Sequence, residues 1–310
     1  MKFGIHNPSW LFGDNPHEAF EGVKKKAQWA EANGFAWFSL MDHLIQIPFV
    51  GAEDEPFMEG WSTLAALAAV TERIRLATLV SSVAYRNPAH LAKIAASVDI
   101  ISRGRLTLGI GAGWHVPEYK QYGWEFPEKA SVRIAQMEEA LQLILKMWSE
   151  PRATYHGKYF HIQDAILEPK PVQKPHPPVI IGGSGEQLTL RAVARWGDAC
   201  NIFGDPATLK AKFDILRGHC DKAGRDFDSI ERTNLTNMII AKDEDALKAK
   251  KERMKLPDPF RGYALTIPQA VDLVGAYQDV GTQMIILSGY RNDDPESLEL
   301  LAAEIMPKFA

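Results

Sequence analysis

The chain has 310 residues, 46 % apolar and 24 % charged, the profile of a globular, soluble protein long enough to bury a full core. Its net charge of −4 is mild and carries no basic run, which argues against a nucleic-acid surface. Cys200 and Cys220 lack CxxC spacing, so neither a disulfide framework nor a zinc site is indicated. No charged-then-apolar leader precedes the first strand and no apolar run approaches bilayer-spanning length, so a cytoplasmic protein with no membrane partner is expected.

Residues 3–7 (Phe-Gly-Ile-His-Asn) read as the first strand, and Asn15-Pro16 opens a helix with Phe20, Val23, Ala27 and Ala30 on one face, ended by Asn33-Gly34. Strand two, 36–40, runs directly into Met41-Asp42-His43. A loop rich in proline and acidic residues, 45–60, leads to a helix over 61–70. Residues 74–80 (Ile-Arg-Leu-Ala-Thr-Leu-Val) are β-branched and apolar, as in a strand buried on both faces. Asn87-Pro88 starts the next helix, with Leu91, Ile94, Val98 and Ile101 at helical spacing, and Arg103-Gly104 closes it. Residues 106–114 (Leu-Thr-Leu-Gly-Ile-Gly-Ala-Gly-Trp) form a second buried strand ending in small residues. Strand, crossover helix, strand means a parallel pair with a right-handed connection, so both strand ends point to one edge. A ligand is expected there.

An irregular aromatic stretch, 116–127, precedes a long helix with Ile134, Met137, Leu141, Ile144, Leu145 and Trp148 inward. Residues 152–178 break the rhythm with a small hairpin around Tyr155, Tyr159, Phe160 and Ile162, then a proline-rich linker. The alternation resumes with strand 179–183, helix 186–196, strand 198–201 and a helix over 207–223. Strand seven is placed at 235–241, followed by a polar helix over 244–255 and a loop insertion at 256–265. A helix over 270–280, strand eight at 284–287 and a last helix over 298–306 complete the chain. Eight strands alternating with helices close most economically as a (β/α)8 TIM barrel, with a doubly wound open sheet as the competitor. One domain over 1–310 is expected, with an insertion at about 152–178. In a barrel the reactive groups sit where strands end and loops begin.

Several groups lie at that edge. Gly182-Gly183-Ser184-Gly185 follows a buried strand and opens a helix, which suits a phosphate cradle and equally a tight turn. It is neither GxGxxG nor GxxxxGK[ST], which disfavours a standard dinucleotide or triphosphate site. Asp42-His43 follows strand two; a histidine there exchanges protons near neutral pH, or the pair is a cap with no duty. Thr78-Leu79 and Ser81-Ser82 offer small polar groups to a heterocycle edge, or turn chemistry. Gly111-Ala112-Gly113 makes room for a flat ring or a close backbone. Trp114, Tyr119 and Trp124 wall a pocket or pack in the core, and His115 and Glu118 are weaker polar candidates. A metal site from His6, Asp42, His43 and Glu118 is discounted, because strand one lacks HxH.

Taken together these stretches resemble the luciferase-like monooxygenase superfamily, in its branch using 8-hydroxy-5-deazaflavin (coenzyme F-420). The motifs that carry the likeness are Ser39-Leu-Met-Asp-His43, Arg75-Leu-Ala-Thr-Leu-Val80 with Arg86-Asn-Pro88, and Gly104-Arg-Leu-Thr-Leu-Gly-Ile-Gly-Ala-Gly-Trp-His-Val-Pro-Glu118. Pro178-Val-Ile-Ile-Gly-Gly-Ser-Gly185 and Trp196-Gly-Asp-Ala-Cys-Asn201 complete them. The resemblance implies a cofactor across the strand C-termini, its phosphate on Gly182, Gly183, Ser184 and Gly185. It places a non-prolyl cis-peptide bulge at Thr78-Leu79 against one ring face, Asp42 in contact with the deazaflavin, and Ala112 and Gly113 at the ring's border. His43 is then the acid–base group, with Trp114, Tyr119 and Phe126 around a small organic substrate. Where some sugar-phosphate-oxidising relatives carry a glutamate after strand four, this chain has Trp114. That turns the expectation from alcohol oxidation by a His/Glu pair toward reduction or an unassigned substrate. FMN with a separate reductase, or a non-catalytic flavin-binding barrel, shares the fold and most motifs. A homodimer is the expected assembly.

Overall fold

A computed structural model describes residues 1–12, 15–256, 260–288 and 294–309. In chain order the elements begin with β1 (Lys2–Asn7), α1 (Pro16–Ala32), β2 (Trp37–Leu40), α2 (Gly60–Val70), β3 (Arg75–Thr78), β4 (Ser81–Ser82), α3 (Pro88–Ile101) and β5 (Leu106–Gly111). Next come α4 (Val116–Gln121), α5 (Ala130–Ser149), β6 (Ala153–His156), β7 (His161–Ala165), β8 (Val179–Gly182), α6 (Thr189–Trp196), β9 (Ala199–Ile202) and α7 (Pro206–Ala223). The remainder is β10 (Glu231–Thr236), β11 (Met238–Ala241), α8 (Glu244–Met254), β12 (Tyr263–Thr266), α9 (Ile267–Asp279), β13 (Met284–Ser288) and α10 (Pro295–Leu300). Strands β1, β2, β3, β5, β8, β9, β10 and β13 pair in parallel in that order, and β13 returns to β1. The sheet is a closed eight-stranded barrel with helices around it.

Strand alternation divides the core. Outward residues such as Phe3, Ile5, Leu76, Ile285 and Leu287 pack under the helices. Inward residues Trp37, Ala77, Ile180, Ala199, Leu235, Met284 and Ile286 fill the barrel interior. Gly4 leaves the room Trp37 needs, since a Cβ there would lie 2.9 Å from the Trp37 Cβ. Two residues further along the same inward face stands His6, level with Ser39 on β2. The interior is therefore apolar at its floor and polar toward its mouth. The expected starts of α1 and α3 hold: Asn15 accepts from the His17 amide and Asn87 from those of Ala89 and His90, each beside a proline in the first turn.

Five expectations about the elements are corrected. The seventh barrel strand is β10, upstream of most of the stretch 235–241. The apolar run of β11 instead pairs with β12 in a side ribbon, so part of the loop placed at 256–265 is strand; 257–259 lie outside the described residues. Polar β10 earns its place by pairing: Asn201 Nδ2 donates to Thr233 Oγ1 (2.9 Å) and Asn234 Nδ2 to the Ile202 carbonyl (3.0 Å). The helix expected from 186 begins at Thr189, after a turn. Residues 116–121, expected to be irregular, form α4 with Pro117 in its first turn. Ile101, placed on the inward face of α3, is exposed. The hairpin β6–β7 pairs only with itself, and Asp99 ties down the linker that follows through the Val172 and Gln173 amides (2.8 and 3.1 Å).

Candidate active site

At the C-terminal end of the barrel lies a cavity of about 940 Å³, its wall built by the segments after β2, β3, β5, β8, β9 and β10. His43, Leu79, Ala112, Gly113, Trp114, Gly182 and Gly183 all line it. The strand-to-loop rule brings these seven sequence candidates together from four separate stretches.

His43 leaves β2 and its Nδ1 lies 2.7 Å from Glu118 Oε2 on α4. Glu118 is fully buried and also accepts from the Leu44 amide (2.5 Å), the Ile45 amide (3.3 Å) and the Tyr85 hydroxyl. Burial alone would raise its pKa. The hydrogen bonds from His43, Tyr85 and Leu44 outweigh burial and hold the carboxyl below the usual carboxylate range. An ionised carboxylate only accepts, so Nδ1 carries the hydrogen and Nε2 is the ring nitrogen left to the cavity. Tyr85, whose hydroxyl is spent on Glu118, is pushed up by burial and by that carboxylate, and stays neutral.

Below, His6 Nδ1 meets Ser39 Oγ at 3.0 Å. Burial, then the charges of Lys26 and His43, lower its pKa from 6.5 to about 3. His6 is thus a neutral residue lining the cavity.

The segment after β3 bulges into the cavity, with a cis peptide at Leu79–Val80, one residue later than the expected Thr78–Leu79. Glycines make room for it. A Cβ on Gly109 would lie 1.8 Å from the Thr78 carbonyl oxygen, one on Gly111 2.7 Å from Val80 Cγ2, and one on Gly182 3.0 Å from Val80. The small residues of β5, expected to leave space for a ring, thus first leave space for the chain's own bulge.

Other candidates are placed elsewhere. The Asp42 carboxylate is not on the cavity wall; both oxygens are taken by Arg86 (2.6 and 2.8 Å), which also bonds Glu59. Thr78 is buried and donates to the Gly109 carbonyl. Tyr119 is buried behind the wall, its hydroxyl 2.6 Å from Ser82 Oγ, and Phe126 packs on it edge-on. Tyr85 takes the wall position instead. Ser184 and Gly185 lie beyond the lining residues, in the turn before α6, where Gly183 has φ +127°. Glu118 is the residue that sequence reading undervalued: 75 positions from His43, it meets it only when the barrel closes. A glutamate in a proline-started turn beside a strand end was its one local signal. No group of three or more His, Cys, Asp or Glu side chains able to hold a metal ion occurs among the described residues, nor any helix long and apolar enough to cross a membrane.

The sequence profile of the luciferase-like monooxygenase family matches residues 1–310. The pyrimidine monooxygenase RutA of Acinetobacter baylyi is 31 % identical over 265 residues, covering 79 % of this chain and 68 % of that protein. The F420-dependent glucose-6-phosphate dehydrogenase of Microbacterium testaceum is 28 % identical, covering 100 % of this chain and 97 % of that one. Among solved structures, an F420-dependent secondary alcohol dehydrogenase in complex with an F420–acetone adduct superimposes with a TM-score of 0.81. It is 20 % identical and covers 100 % of this chain and 98 % of that one.

Proposed function

The chain belongs to the luciferase-like monooxygenase family, and from that premise we propose that it is an oxidoreductase moving a hydride between a deazaflavin, coenzyme F-420, and a small organic substrate. The observation that carries this reading is the His43–Glu118 pair at the cavity wall. It is an oriented proton-transfer group lining the same cavity as the Leu79–Val80 bulge. The full-length similarity to the F420-dependent glucose-6-phosphate dehydrogenase supports the choice of coenzyme.

The residues present fit such a group. A cavity of about 940 Å³ lies at the upper end of the range for cofactor-sized ligands. Gly183 and Gly185 keep the turn before α6 free of side chains that would crowd Thr189: a Cβ would stand 3.2 Å from Thr189 Cγ2 in one case and 2.8 Å from Thr189 Oγ1 in the other. Gly182, Gly183, Ser184 and Gly185 would hold the phosphate in the turn that leads from β8 to α6, where backbone amides free of side chains can approach an anion. Leu79, Ala112 and Gly113 would border the ring system, and Asp42 acts through Arg86, which fixes the loop carrying His43.

When bound, the deazaflavin supplies the hydride chemistry. His43 exchanges the accompanying proton through Nε2, while Glu118 fixes the tautomer and stabilises the ring when it is charged. Trp114, 5.8 Å from His43 between ring centres, shields that proton from water on one side.

His43→Ala tests the reading. Turnover in a single-turnover hydride-transfer assay should fall by about 10²–10⁴, the usual worth of a positioned general acid or base. Deazaflavin affinity should stay nearly unchanged. Turnover that survives with tight coenzyme binding sinks the role given to His43. The pyrimidine monooxygenase relative favours a second reading, an FMN-dependent monooxygenase served by a separate reductase. Titrating the protein with reduced and oxidised deazaflavin and with FMN decides between them.

A further inference from the structure

We propose that the substrate end of this cavity is built for a flat, apolar carboxylic acid, its carboxylate on Arg261 and its ring along Phe49 and Trp114. The inference rests on the reading above, in which the glycine turn after β8 is the coenzyme's. Arg261 lines the cavity, and its guanidinium carbon sits 4.7 Å from the centre of the Phe49 ring. Phe49 stacks on Trp114 (5.9 Å, 25°), and Trp114 stands edge-on to His43. A ladder of flat groups thus leads from the proton-transfer residue to a cation.

Three observations point from this ladder to a ligand. Phe49 and Trp114 remain 60 % and 48 % exposed, a large apolar area for two residues side by side on a cavity wall. Arg261 is exposed at the cavity, and among the described residues its guanidinium has the Phe49 ring against it and no carboxylate partner. Asp205, an acidic residue lining the same cavity, follows β9 and accepts the Thr208 amide at the start of α7 through Oδ1 (2.8 Å), not Arg261. A guanidinium braced on an aromatic face presents its remaining N–H fork to a carboxylate in bidentate geometry.

The class of ligand follows from the neighbours. Ile47, Phe49 and Trp114 offer apolar faces, and of the polar side chains lining the cavity near Arg261 in sequence or by contact, Asn237 donates to the Arg261 carbonyl and Tyr263 pairs with Tyr277, so a flat ring is matched better there than a row of hydroxyls. The coenzyme's own acidic tail is the other source of a carboxylate. Strand order argues against it: Arg261 spans from the loop after β2 to Asn237 after β10, whose Nδ2 donates to the Arg261 carbonyl (3.1 Å). That arc is centred on β13 and β1, across the mouth from β8.

The test is calorimetric titration of the full chain, with and without deazaflavin, using 2-naphthoate, neutral 2-naphthylmethanol and glucose 6-phosphate. The acid should bind wild type about tenfold or more tighter than the alcohol, the usual worth of a charge-assisted hydrogen bond. Arg261→Gln should erase that preference and leave deazaflavin affinity unchanged. Equal affinity of acid and alcohol for wild type, no binding of the acid, or a preference for glucose 6-phosphate overturns the proposal. So does an Arg261→Gln variant that loses deazaflavin affinity while keeping the acid. Because acid binding is read without turnover, failure of deazaflavin to bind would sink the coenzyme reading by itself.

Discussion

Glu118 receives four donors at once: His43 Nδ1, the Tyr85 hydroxyl and the amides of Leu44 and Ile45. It therefore sets the loop after β2 and the imidazole together. Glu118→Gln should cut turnover about 10–100-fold with coenzyme affinity within a few-fold, the scale seen when an orienting partner is removed. Combined with His43→Ala it should add almost nothing, because the two residues act as one unit. Additive losses in that double-mutant cycle would mean Glu118 acts on its own. His6 gives a second residue-scale test, in stability. Its folded pKa is about 3 against 6.5 unfolded. The unfolded chain therefore takes up a proton first as pH falls, and the stability His6 contributes is present above pH 6.5 and drains toward pH 3. His6→Gln should lose less stability than wild type between pH 7 and pH 4.5. Urea midpoints at several pH values across that range check it, and parallel curves would refute it.

Among the elements, the bulge after β3 shows how neighbouring strands are matched. Gly109 on β5 faces the Thr78 carbonyl so closely that any Cβ requires backbone to move. Gly109→Ala should cost about 3 kcal/mol, the upper range for forced overpacking, and weaken coenzyme binding by displacing Leu79 and Val80. A urea midpoint like that of wild type would show that the strands yield more easily. At the turn after β8, Gly183→Asp places a charge where a phosphate is expected. Coenzyme affinity should fall well over tenfold in a folded protein, as measured by fluorescence titration. The same elements show what a sequence can reveal. Strands such as β3, β5, β8 and β13 were legible because they are buried on both faces and read as unbroken apolar runs. Capped helices such as α1 and α3 announced themselves by Asn-Pro. Strand β10 was missed because Leu235 is its one apolar residue, the rest being polar on both faces, and the apolar run of β11 next to it carried the stronger signal. Asp42, Thr78 and Tyr119 sat in the right segments, but whether each side chain faces the cavity, Arg86, Gly109 or Ser82 is set by tertiary partners.

Across the whole molecule the two ends of the barrel carry different burdens. The cavity end holds exposed aromatic residues, an oriented histidine and a cation with no acidic partner among the described residues. At the opposite end the clearest feature is Arg105, at the start of β5. Its guanidinium is buried and donates to the Ser102 carbonyl (2.7 Å), to Thr71 Oγ1 and the Ile74 carbonyl (both 2.9 Å), and to the Ala68 and Thr71 carbonyls (both 2.9 Å). These acceptors close α2, open β3 and cap α3, so one cation neutralises helix C-terminal dipoles and satisfies carbonyls that α2 leaves unpaired. Burial lowers the Arg105 pKa, yet a guanidinium stays charged. Arg105→Met keeps much of the side chain's bulk and removes every donor. Several carbonyls would then be buried without partners, at a cost of about 3–5 kcal/mol. If stability and chemistry are divided between the two ends, as the strand directions of a parallel barrel imply, this variant should unfold at clearly lower urea. Its folded fraction should keep the wild-type deazaflavin affinity and turnover. A variant of normal stability would show that water replaces the guanidinium. A variant whose coenzyme affinity falls in step with its stability would show that the two ends are coupled through β3 and β5, the strands that carry both Arg105's partners and the bulge.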